Sequence, residues 1–420
     1  MPEASSQHPS PHPRVGVWLV GACGAVATLT VVGARAVAKG LRRPVGLLTE
    51  TPLFQGLGLP ALGDLVFGGH EIRDTDLHCA AREFAERSGI LDPALLTVLA
   101  EDLALVDREI RPGHLVNPSH AVLDLVPDAP GAAVRSPRAI VEAIQRDVAS
   151  FRERNKLTHV VVVNISSTEP PHRLPIEYGD LDAFRAMLDE PAPREGLTAG
   201  VLYAYAALDA GHPFVNFTPS PGSTMPALRR LADERGVPHM GSDGKTGETL
   251  VKTALAPLFA GRALRVLSWE GYNMLGNRDG FVLNDPEAKE SKTQSKDRAL
   301  RQILGDENTH SKVTIDYVPS LDDWKVAWDY IHFEGFLGAK MSMQFTWQGN
   351  DSALAAPLVL DLARLAAFAQ MQGESGLMTH TAAYFKSPAD VEEQTFVKQL
   401  QRLEAYATQH RERLRRRAGQ

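Results

Sequence analysis

The sequence predicts an α/β protein in which a doubly wound parallel sheet is joined to a second, smaller domain of antiparallel or mixed sheet. Short apolar strands alternate with amphipathic helices up to about residue 248, which is typical of a parallel sheet covered on both faces. From about residue 249 the pattern changes. The segment 340–348 alternates strictly between apolar and polar residues, which predicts a strand buried on one face. Its apolar positions are Met341, Met343, Phe345 and Trp347.

The composition is that of an ordinary soluble globular chain. The 420 residues include 44 basic and 51 acidic side chains, a net charge of −7, so we expect no dedicated nucleic-acid binder. Only Cys23 and Cys79 occur, which predicts no disulfide framework, no cysteine zinc site and a cytoplasmic location. The histidines have no metal-binding spacing and there is no nucleophile elbow, so zinc and serine hydrolases are not expected.

The N-terminal segment predicts a β-α-β unit. Residues 1–13 are rich in Pro and Ser and are expected to be disordered. The uncharged run 15–34 would by length alone also suit a signal peptide or a membrane span. Its internal pattern favours a strand from Val15, a glycine turn and a helix to about Lys39, followed by a second strand at residues 45–49.

The turn of this unit is a candidate dinucleotide site. Gly21, Gly24 and Ala27 follow the strand at intervals of three, and Cys23 stands where a second glycine is usual. The first glycine permits a tight turn, and the N-terminus of the following helix offers N–H groups to a pyrophosphate. A β-α-β unit that binds no nucleotide is the alternative at this point.

Polar residues follow two further predicted strands. A helix that begins at Ser136 and Pro137 leads to the apolar strand 160–163, and a second short strand starts at Phe214. Folds of the α/β class bind ligands beyond the carboxyl ends of such strands. The residues at these two ends are Asn164, Ser166, Ser167 and Thr168, and then Asn216, Thr218, Ser220 and Ser223.

Lysines are concentrated in one part of a chain that otherwise uses arginine. Twelve lysines stand against 32 arginines, and eight of the lysines lie between residues 245 and 340. Unlike a guanidinium, an ammonium can be tuned to lose its proton. Lys292 and Lys296 share a face if their segment is helical, and the glycine-rich loop 241–249 contains Asp243 and Lys245. Solvated surface segments are the alternative interpretation of both.

Five spaced motifs resemble the myo-inositol-1-phosphate synthase family, also called inositol-3-phosphate synthases. They are GYNMLGNRDG at residues 271–280, SKTQSK at 291–296, DDWKVAWD at 322–329, DSALAAPL at 351–358 and YFKSP at 384–388. The resemblance implies an α/β fold with a modified Rossmann NAD-binding domain over residues 14–248 plus 355–420. An inserted mixed α+β sheet domain, over residues 249–354, would build the catalytic site and a homotetramer.

The resemblance also implies roles for individual residues. It places the acidic residue for the adenosine ribose at Glu71 rather than Glu50, and it implies catalysis by lysines and carboxylates. The implied cofactor residues are Gly21, Cys23, Gly24, Ala25, Val26, Glu71, Ser166, Ser167, Thr168, Asn216, Thr218, Asp243, Asn277 and Asp279. The implied catalytic residues are Lys292, Lys296, Lys325, Lys386, Asp243, Asp279 and Asp323.

The implied reaction is an isomerisation of a hexose 6-phosphate with NAD as cofactor. Oxidation at C5 acidifies C6, an enolate closes the ring by an aldol step, and the ring ketone is reduced again. We favour D-glucose 6-phosphate giving 1D-myo-inositol 3-phosphate over fructose 6-phosphate giving a five-membered cyclitol phosphate. A simple dehydrogenase and a silent NAD-binding scaffold are further alternatives.

Three further positions depart from the family pattern, and either subfamily variation or altered substrate choice would account for them. They are Glu270, Met274 and Arg278, which lie close in sequence to Asp279. The expected partners are the sugar phosphate and further copies of the chain, with no nucleic acid and no membrane.

Overall fold

The computed structural model describes residues 13–126, 135–169, 175–277, 280 and 300–418. The segment 1–12, predicted to be disordered, lies outside the described residues. The strands are β1 (Val15–Val20), β2 (Leu65–Glu71), β3 (Ile110–Pro112), β4 (His159–Asn164), β5 (Phe214–Asn216), β6 (Pro238–Gly241), β7 (Arg265–Leu275), β8 (His310–Tyr317), β9 (Trp324–Glu334), β10 (Lys340–Asn350) and β11 (Gly376–Leu377). The α-helices are α1 (Ala25–Ala38), α2 (Leu77–Ser88), α3 (Pro93–Asp107), α4 (His120–Asp124), α5 (Pro137–Arg154), α6 (Leu181–Leu188), α7 (Ala199–Asp209), α8 (Pro226–Arg235), α9 (Gly247–Gly261), α10 (Asp351–Met371) and α11 (Phe396–Ala418).

Among the described residues, seven strands form a parallel sheet in the order β11-β6-β5-β4-β1-β2-β3. In its centre, Val20 at the end of β1 lies opposite His70 of β2 and Asn164 of β4. These three strands therefore end at the same level. The residues that follow them meet at one edge, where an open α/β sheet binds its ligands.

Helices cover both faces of this sheet, which confirms the doubly wound prediction. Val17 and Leu19 of β1 belong to a buried cluster with residues of α1, α3 and α10. The alternate residue Trp18 belongs to a second buried cluster with residues of α5 and α7. The predicted start of α5 is also confirmed, because the hydroxyl of Ser136 caps it by accepting from the N–H of Ala139.

The N-terminal β-α-β unit is present, but its second strand was placed wrongly. The predicted strand at residues 45–49 is not formed; residues 48–50 make a 3-10 helix instead. The N–H groups of Leu48 and Thr49 donate to the carboxylate of Asp361, in α10, at 2.9 and 3.1 Å. These donors are thus unavailable to a sheet, and the strand beside β1 is β2.

The second sheet has the order β10-β9-β7-β8, with β9 antiparallel to β7 and β10 and with β7 parallel to β8. Phe259 of α9 packs against Trp269 and Ile331 on one face. The alternation predicted for β10 is confirmed from Met343 to Trp347, where the apolar side chains are half-buried and the polar ones exposed. Met341 departs from it and is exposed.

One described helix, α10, is long and apolar enough by length and composition to cross a membrane. It is largely buried, however, between α1 and the strands β4, β5 and β6. The uncharged N-terminal run is not a single helix, because β1 and α1 divide it.

Candidate active site

A cavity of about 360 Å³ lies where the carboxyl edge of the parallel sheet faces the second sheet. Its wall contains the β1–α1 turn, the end of β2, the loops after β4 and β6, and inward residues of β7 and β9. Within the described ranges, no group of three His, Cys, Asp or Glu side chains could hold a metal ion. The predicted site residues in the wall are Gly21, Cys23, Gly24, Ala25, Val26, Glu71, Ser166, Ser167, Thr168, Thr218, Asp243, Asn277, Asp323, Lys325 and Lys386.

The β1–α1 turn is shaped for an anionic ligand. Gly21 has a φ of +90°, and a Cβ there would lie 3.2 Å from the Cα of Ser166, so a side chain would be strained at this position. Helix α1 begins after Gly24 with no side-chain cap and no acidic residue in its first turn. Because Ala25 and Val26 line the cavity, the positive end of the helix is available to an anion there.

The carboxylate of Glu71 is held at the end of β2 by Arg73 and by the main chain. It accepts hydrogen bonds from the N–H groups of Cys23, Ile72 and Arg73 at 2.9, 3.0 and 3.1 Å. The guanidinium of Arg73 lies 3.2 Å from the same carboxylate and also donates to the Cys23 carbonyl. Burial, and then the charge of Glu71, raise the pKa of the Cys23 thiol. Cys23 therefore serves the turn through its main chain rather than as a thiolate.

Asn216, expected to bind the cofactor, is not among the residues that line the cavity. Its side chain is fully buried. Its carbonyl oxygen accepts from the N–H and the hydroxyl of Thr218 at 3.3 and 2.9 Å, and its amide donates to the Ser220 carbonyl at 2.8 Å. All of these contacts shape the loop after β5, which presents Thr218 to the cavity.

Asp243 and Lys386 form an ion pair in the cavity wall, although 143 residues separate them. The Nζ of Lys386 lies 2.9 Å from a carboxylate oxygen of Asp243, and the two side chains are 15% and 7% exposed. The N–H of Lys386 also donates to the Asp243 carbonyl at 2.6 Å. The main chain thus holds the ammonium in place where water is largely excluded.

Asp323 and Lys325 stand together at the start of β9. The carboxylate of Asp323 accepts from the Asn277 amide at 2.9 Å, and from the N–H and the hydroxyl of Ser352 at 3.0 and 2.9 Å. Burial nevertheless raises the pKa of Asp323 to about 6, because desolvation disfavours the charged form. Lys325 follows two residues later, so both side chains lie on the cavity side of the strand.

Several predicted residues have no described position or lie elsewhere. Asp279, Lys292, Lys296 and Arg278 are outside the described residues. Glu270 and Met274 are not in the cavity wall. They alternate with the lining residues of β7 and so face the other side of the sheet, where Glu270 lies 2.8 Å from His310.

Comparisons with known proteins identify the family of the chain. A family model for NAD-binding domains described as myo-inositol-1-phosphate synthase matches residues 15–408. The inositol-3-phosphate synthase 1 of Bacteroides thetaiotaomicron is 34% identical over 400 residues, which covers 89% of each chain. The chain belongs to the myo-inositol-1-phosphate synthase family.

Solved structures share the fold of this family member. The inositol-3-phosphate synthase of Caenorhabditis elegans has a TM-score of 0.82 at 22% identity, covering 95% of this chain and 86% of that one. A myo-inositol-1-phosphate synthase-related protein of Thermotoga maritima has a TM-score of 0.75 at 24% identity, covering 94% and 98%. The α/β fold with a Rossmann-like parallel sheet and a second mixed sheet is therefore shown.

Among the lining residues of this myo-inositol-1-phosphate synthase family member that reasoning from the sequence missed are Ser352 and Asn273. Ser352 holds Asp323 with two hydrogen bonds, and Asn273 is buried in the wall from β7. Both lie within motifs that carried the family resemblance, at residues 351–358 and 271–280. The motifs were therefore the signal, but sequence alone does not say which of their residues face the cavity.

We expect Asp323 to titrate visibly in the pH dependence of stability. The pKa of Asp323 is about 6 in the folded chain against an ordinary 3.8, so the folded state binds this proton more tightly than the unfolded state. The Asp323 contribution to stability is then lost as pH rises through the folded pKa. The unfolding free energy of the natural chain minus that of Asp323→Asn, from urea denaturation, should fall between about pH 4 and 7 and then stay constant.

Asp306→Asn provides a control of opposite sign. Asp306 is a surface carboxylate whose pKa is lowered by a hydrogen bond from the main chain of Asn308, so its contribution is lost as pH falls. The unfolding free energy of the natural chain minus that of Asp306→Asn should therefore rise with pH. A difference for Asp323→Asn that rises in the same way would contradict the desolvation argument.

Proposed function

We propose that this chain is an NAD-dependent phosphosugar carbocyclase that converts D-glucose 6-phosphate to 1D-myo-inositol 3-phosphate, an isomerase reaction. One observation carries the proposal: a single cavity joins the uncapped N-terminus of α1 to the Asp243–Lys386 pair and to Lys325. A dinucleotide site and a set of proton-transferring and cationic groups are thus adjacent. Membership in the family supports the same chemistry.

The residues of the cavity fit NAD. The N–H groups at the start of α1 suit the pyrophosphate, the positive φ of Gly21 keeps the turn tight, and Glu71 at the end of β2 suits the adenosine ribose. NAD bound there would supply reversible hydride transfer at C5 of the sugar, with no net oxidation over the whole reaction.

Lys325 is the group we assign to the proton of the C5 hydroxyl. It lies in the wall beside Asp323, whose pKa of about 6 allows that carboxyl to exchange a proton near neutral pH. Asn277 and Ser352 fix the Asp323 carboxyl in one orientation. The pair can thus hold and move a proton without rearranging the strand.

Lys386 is the group we assign to the negative charge of the enolate and of the aldol oxyanion. Its ammonium is fixed by Asp243 at 2.9 Å in a largely buried position, and a preorganised charge in such a place stabilises a developing anion more than it would in water. Family resemblance adds Lys292, Lys296 and Asp279 to this set, with Lys296 for the sugar phosphate.

Fructose 6-phosphate is the alternative substrate, because C6 attack on its C2 ketone gives a five-membered ring by the same steps. The departures at Glu270 and Met274 do not favour it, since both face away from the cavity. A plain dehydrogenase would use the same NAD site, but it would release NADH.

We also propose that the protein acts in the cytoplasm as a homo-oligomer, most simply a tetramer, without nucleic acid or membrane partners. The open face of the second sheet exposes Tyr272 and Trp328, and the β9–β10 turn exposes Phe336 and Leu337. Large apolar groups in this position suit burial against a second copy of the chain.

The substrate assay tests the proposal. We expect the purified chain with NAD and glucose 6-phosphate to yield, after dephosphorylation, an inositol seen by NMR, with no build-up of NADH absorbance. A cyclopentane polyol from fructose 6-phosphate, with no inositol from glucose 6-phosphate, would replace the substrate but keep the mechanism. Stoichiometric NADH would refute the carbocyclase.

Lys325→Ala should abolish turnover while leaving the fold and NAD binding intact. Loss of a group that transfers a proton costs about a hundredfold or more in rate. Steady-state rates, the dissociation constant for NAD and the melting temperature should be compared with those of Lys398→Ala, which removes an exposed lysine of α11. A Lys325→Ala rate close to that of the control would make Lys325 structural.

Glu71→Gln should weaken NAD binding and admit NADP. The substitution removes the carboxylate that repels a 2′-phosphate and releases the guanidinium of Arg73, which can then pair with that phosphate. Loss or gain of a charged hydrogen bond corresponds to about a tenfold change in affinity or more. Titration calorimetry of Glu71→Gln with NAD and with NADP checks this prediction. A ratio of NAD affinity to NADP affinity equal to that of the natural chain would contradict it.

A further inference from the structure

Three residues that line the cavity each carry a buried polar atom without a hydrogen-bond partner. The atoms are Nε2 of His114, Oε2 of Glu169 and the hydroxyl of Tyr203. They come from three elements: the segment after β3, the loop after β4, and α7. The other oxygen of Glu169 accepts from the N–H of Gly200 at 2.8 Å, and Thr198 and Ala199 also lie at this carboxylate.

Such atoms need a partner that the protein itself does not provide. A buried polar atom left unpaired loses the hydrogen bonds it makes to water, so folded proteins keep few of them. Three in the lining of one cavity indicate a ligand whose polar edge completes them. Tyr203 is only 2% exposed, so its hydroxyl cannot be satisfied by bulk solvent.

The position of these residues relative to Glu71 suggests which part of a ligand they meet. His70, which precedes Glu71 in β2, has its ring centroid 5.5 Å from that of His114 and 5.4 Å from that of Tyr203. The ring of His70 is itself fully engaged, since Trp18 donates to its Nδ1 at 3.0 Å and Asp147 lies 3.1 Å from its Nε2. The N–H of Gly113 donates to the Glu71 carbonyl at 2.7 Å, so the next residue, His114, lies near the end of β2, where Glu71 suits the adenosine ribose. The ring of Tyr203 lies 6.3 Å from that of His114.

We propose that His114, Glu169 and Tyr203 form a subsite that binds the edge of the purine base of the dinucleotide. The inference rests on the proposed function. Adenine presents an amine donor next to ring-nitrogen acceptors, and a tyrosine hydroxyl can both donate and accept. These three side chains would thus favour adenine over a base with a different pattern of donors and acceptors.

The charge states of the subsite are compatible with a neutral base. Burial lowers the pKa of His114 to about 4, so its ring is neutral at pH 7 and offers one donor and one acceptor. Burial raises the pKa of Glu169 to about 7, so this carboxyl is available as an acid that donates as well as accepts.

Tyr203→Phe is the sharpest test, because it removes only an unpaired hydroxyl. Without ligand, the melting temperature should change little, since the hydroxyl has no hydrogen-bond partner of good geometry and only the main chain of His114 lies near it. The dissociation constants for NAD and for ADP-ribose, measured by calorimetry, should each rise about three- to tenfold. An unchanged affinity for both ligands would overturn the proposal.

Tyr205→Phe is the matched control on the same helix. Tyr205 is as buried as Tyr203, but its hydroxyl lies at Arg138 and Arg185 and it is not in the cavity wall. Its loss should lower the melting temperature and leave both dissociation constants unchanged. Equal loss of affinity in the two variants would show an effect of the helix rather than of the subsite, and would overturn the proposal.

Nicotinamide hypoxanthine dinucleotide, in which a carbonyl replaces the amine of adenine, tests contact with the base edge. The natural chain should bind it more weakly than NAD, and Glu169→Gln and Tyr203→Phe should narrow that difference. Equal binding of the two dinucleotides by the natural chain would overturn the subsite while leaving the NAD site in place. Failure of the natural chain to bind either NAD or ADP-ribose would instead refute the proposed function.

Discussion

The pairing of residues 241–245 with residues 384–389 is the constraint on which the rest of the site depends. Ser242 and Ser387 exchange main-chain hydrogen bonds at 3.0 and 3.2 Å, Lys245 donates to the Tyr384 carbonyl at 2.8 Å, and Gly244 bridges Phe385. The whole second sheet lies between these segments in sequence. Their pairing closes a loop of about 140 residues, which costs conformational entropy, and it brings the Lys386 ammonium to Asp243.

Two buried side chains of these paired segments form hydrogen bonds with the C-terminal helices α10 and α11. The Nζ of Lys245, 2% exposed, donates to the Gln399 side chain of α11 at 2.5 Å, and burial lowers the pKa of Lys245 to about 7. The Tyr384 hydroxyl donates to Asp361 of α10 at 3.2 Å. The two C-terminal helices therefore do more than cover the parallel sheet; they fix the segment that carries Lys386.

Local patterns predicted the elements, and long-range contacts decided where the predictions failed. The strand, turn and helix at residues 15–38 follow from apolar periodicity and glycine spacing, which are properties of neighbouring residues. The strand expected at residues 45–49 failed because Asp361, more than 300 residues away, binds the main chain there. No local pattern contains that information.

The site residues also divide into those that local sequence patterns predict and those that depend on long-range contacts. The turn at Gly21 and the loop at Ser166 were predictable, because polar or small residues after buried strands meet at one sheet edge. Asn216 had the same local pattern, yet it is not among the lining residues, since its amide is used within its own loop. Ser352 was missed because its role is to donate a hydrogen bond to Asp323. The two residues meet only when the second sheet packs on α10.

The alternation along β7 bears on how a cavity of this kind selects its substrate. Asn273 and Leu275 face the cavity, whereas Glu270 and Met274 face the opposite side of the sheet. The groups proposed as catalytic, at Asp323, Lys325 and Lys386, would act on proton and charge, which are the same for rings of five or six members. Ring size depends instead on where the far carbonyl is held. Residues of β7 that face the cavity, such as Asn273, are placed to affect that position, whereas Glu270 and Met274 on its outer face are not.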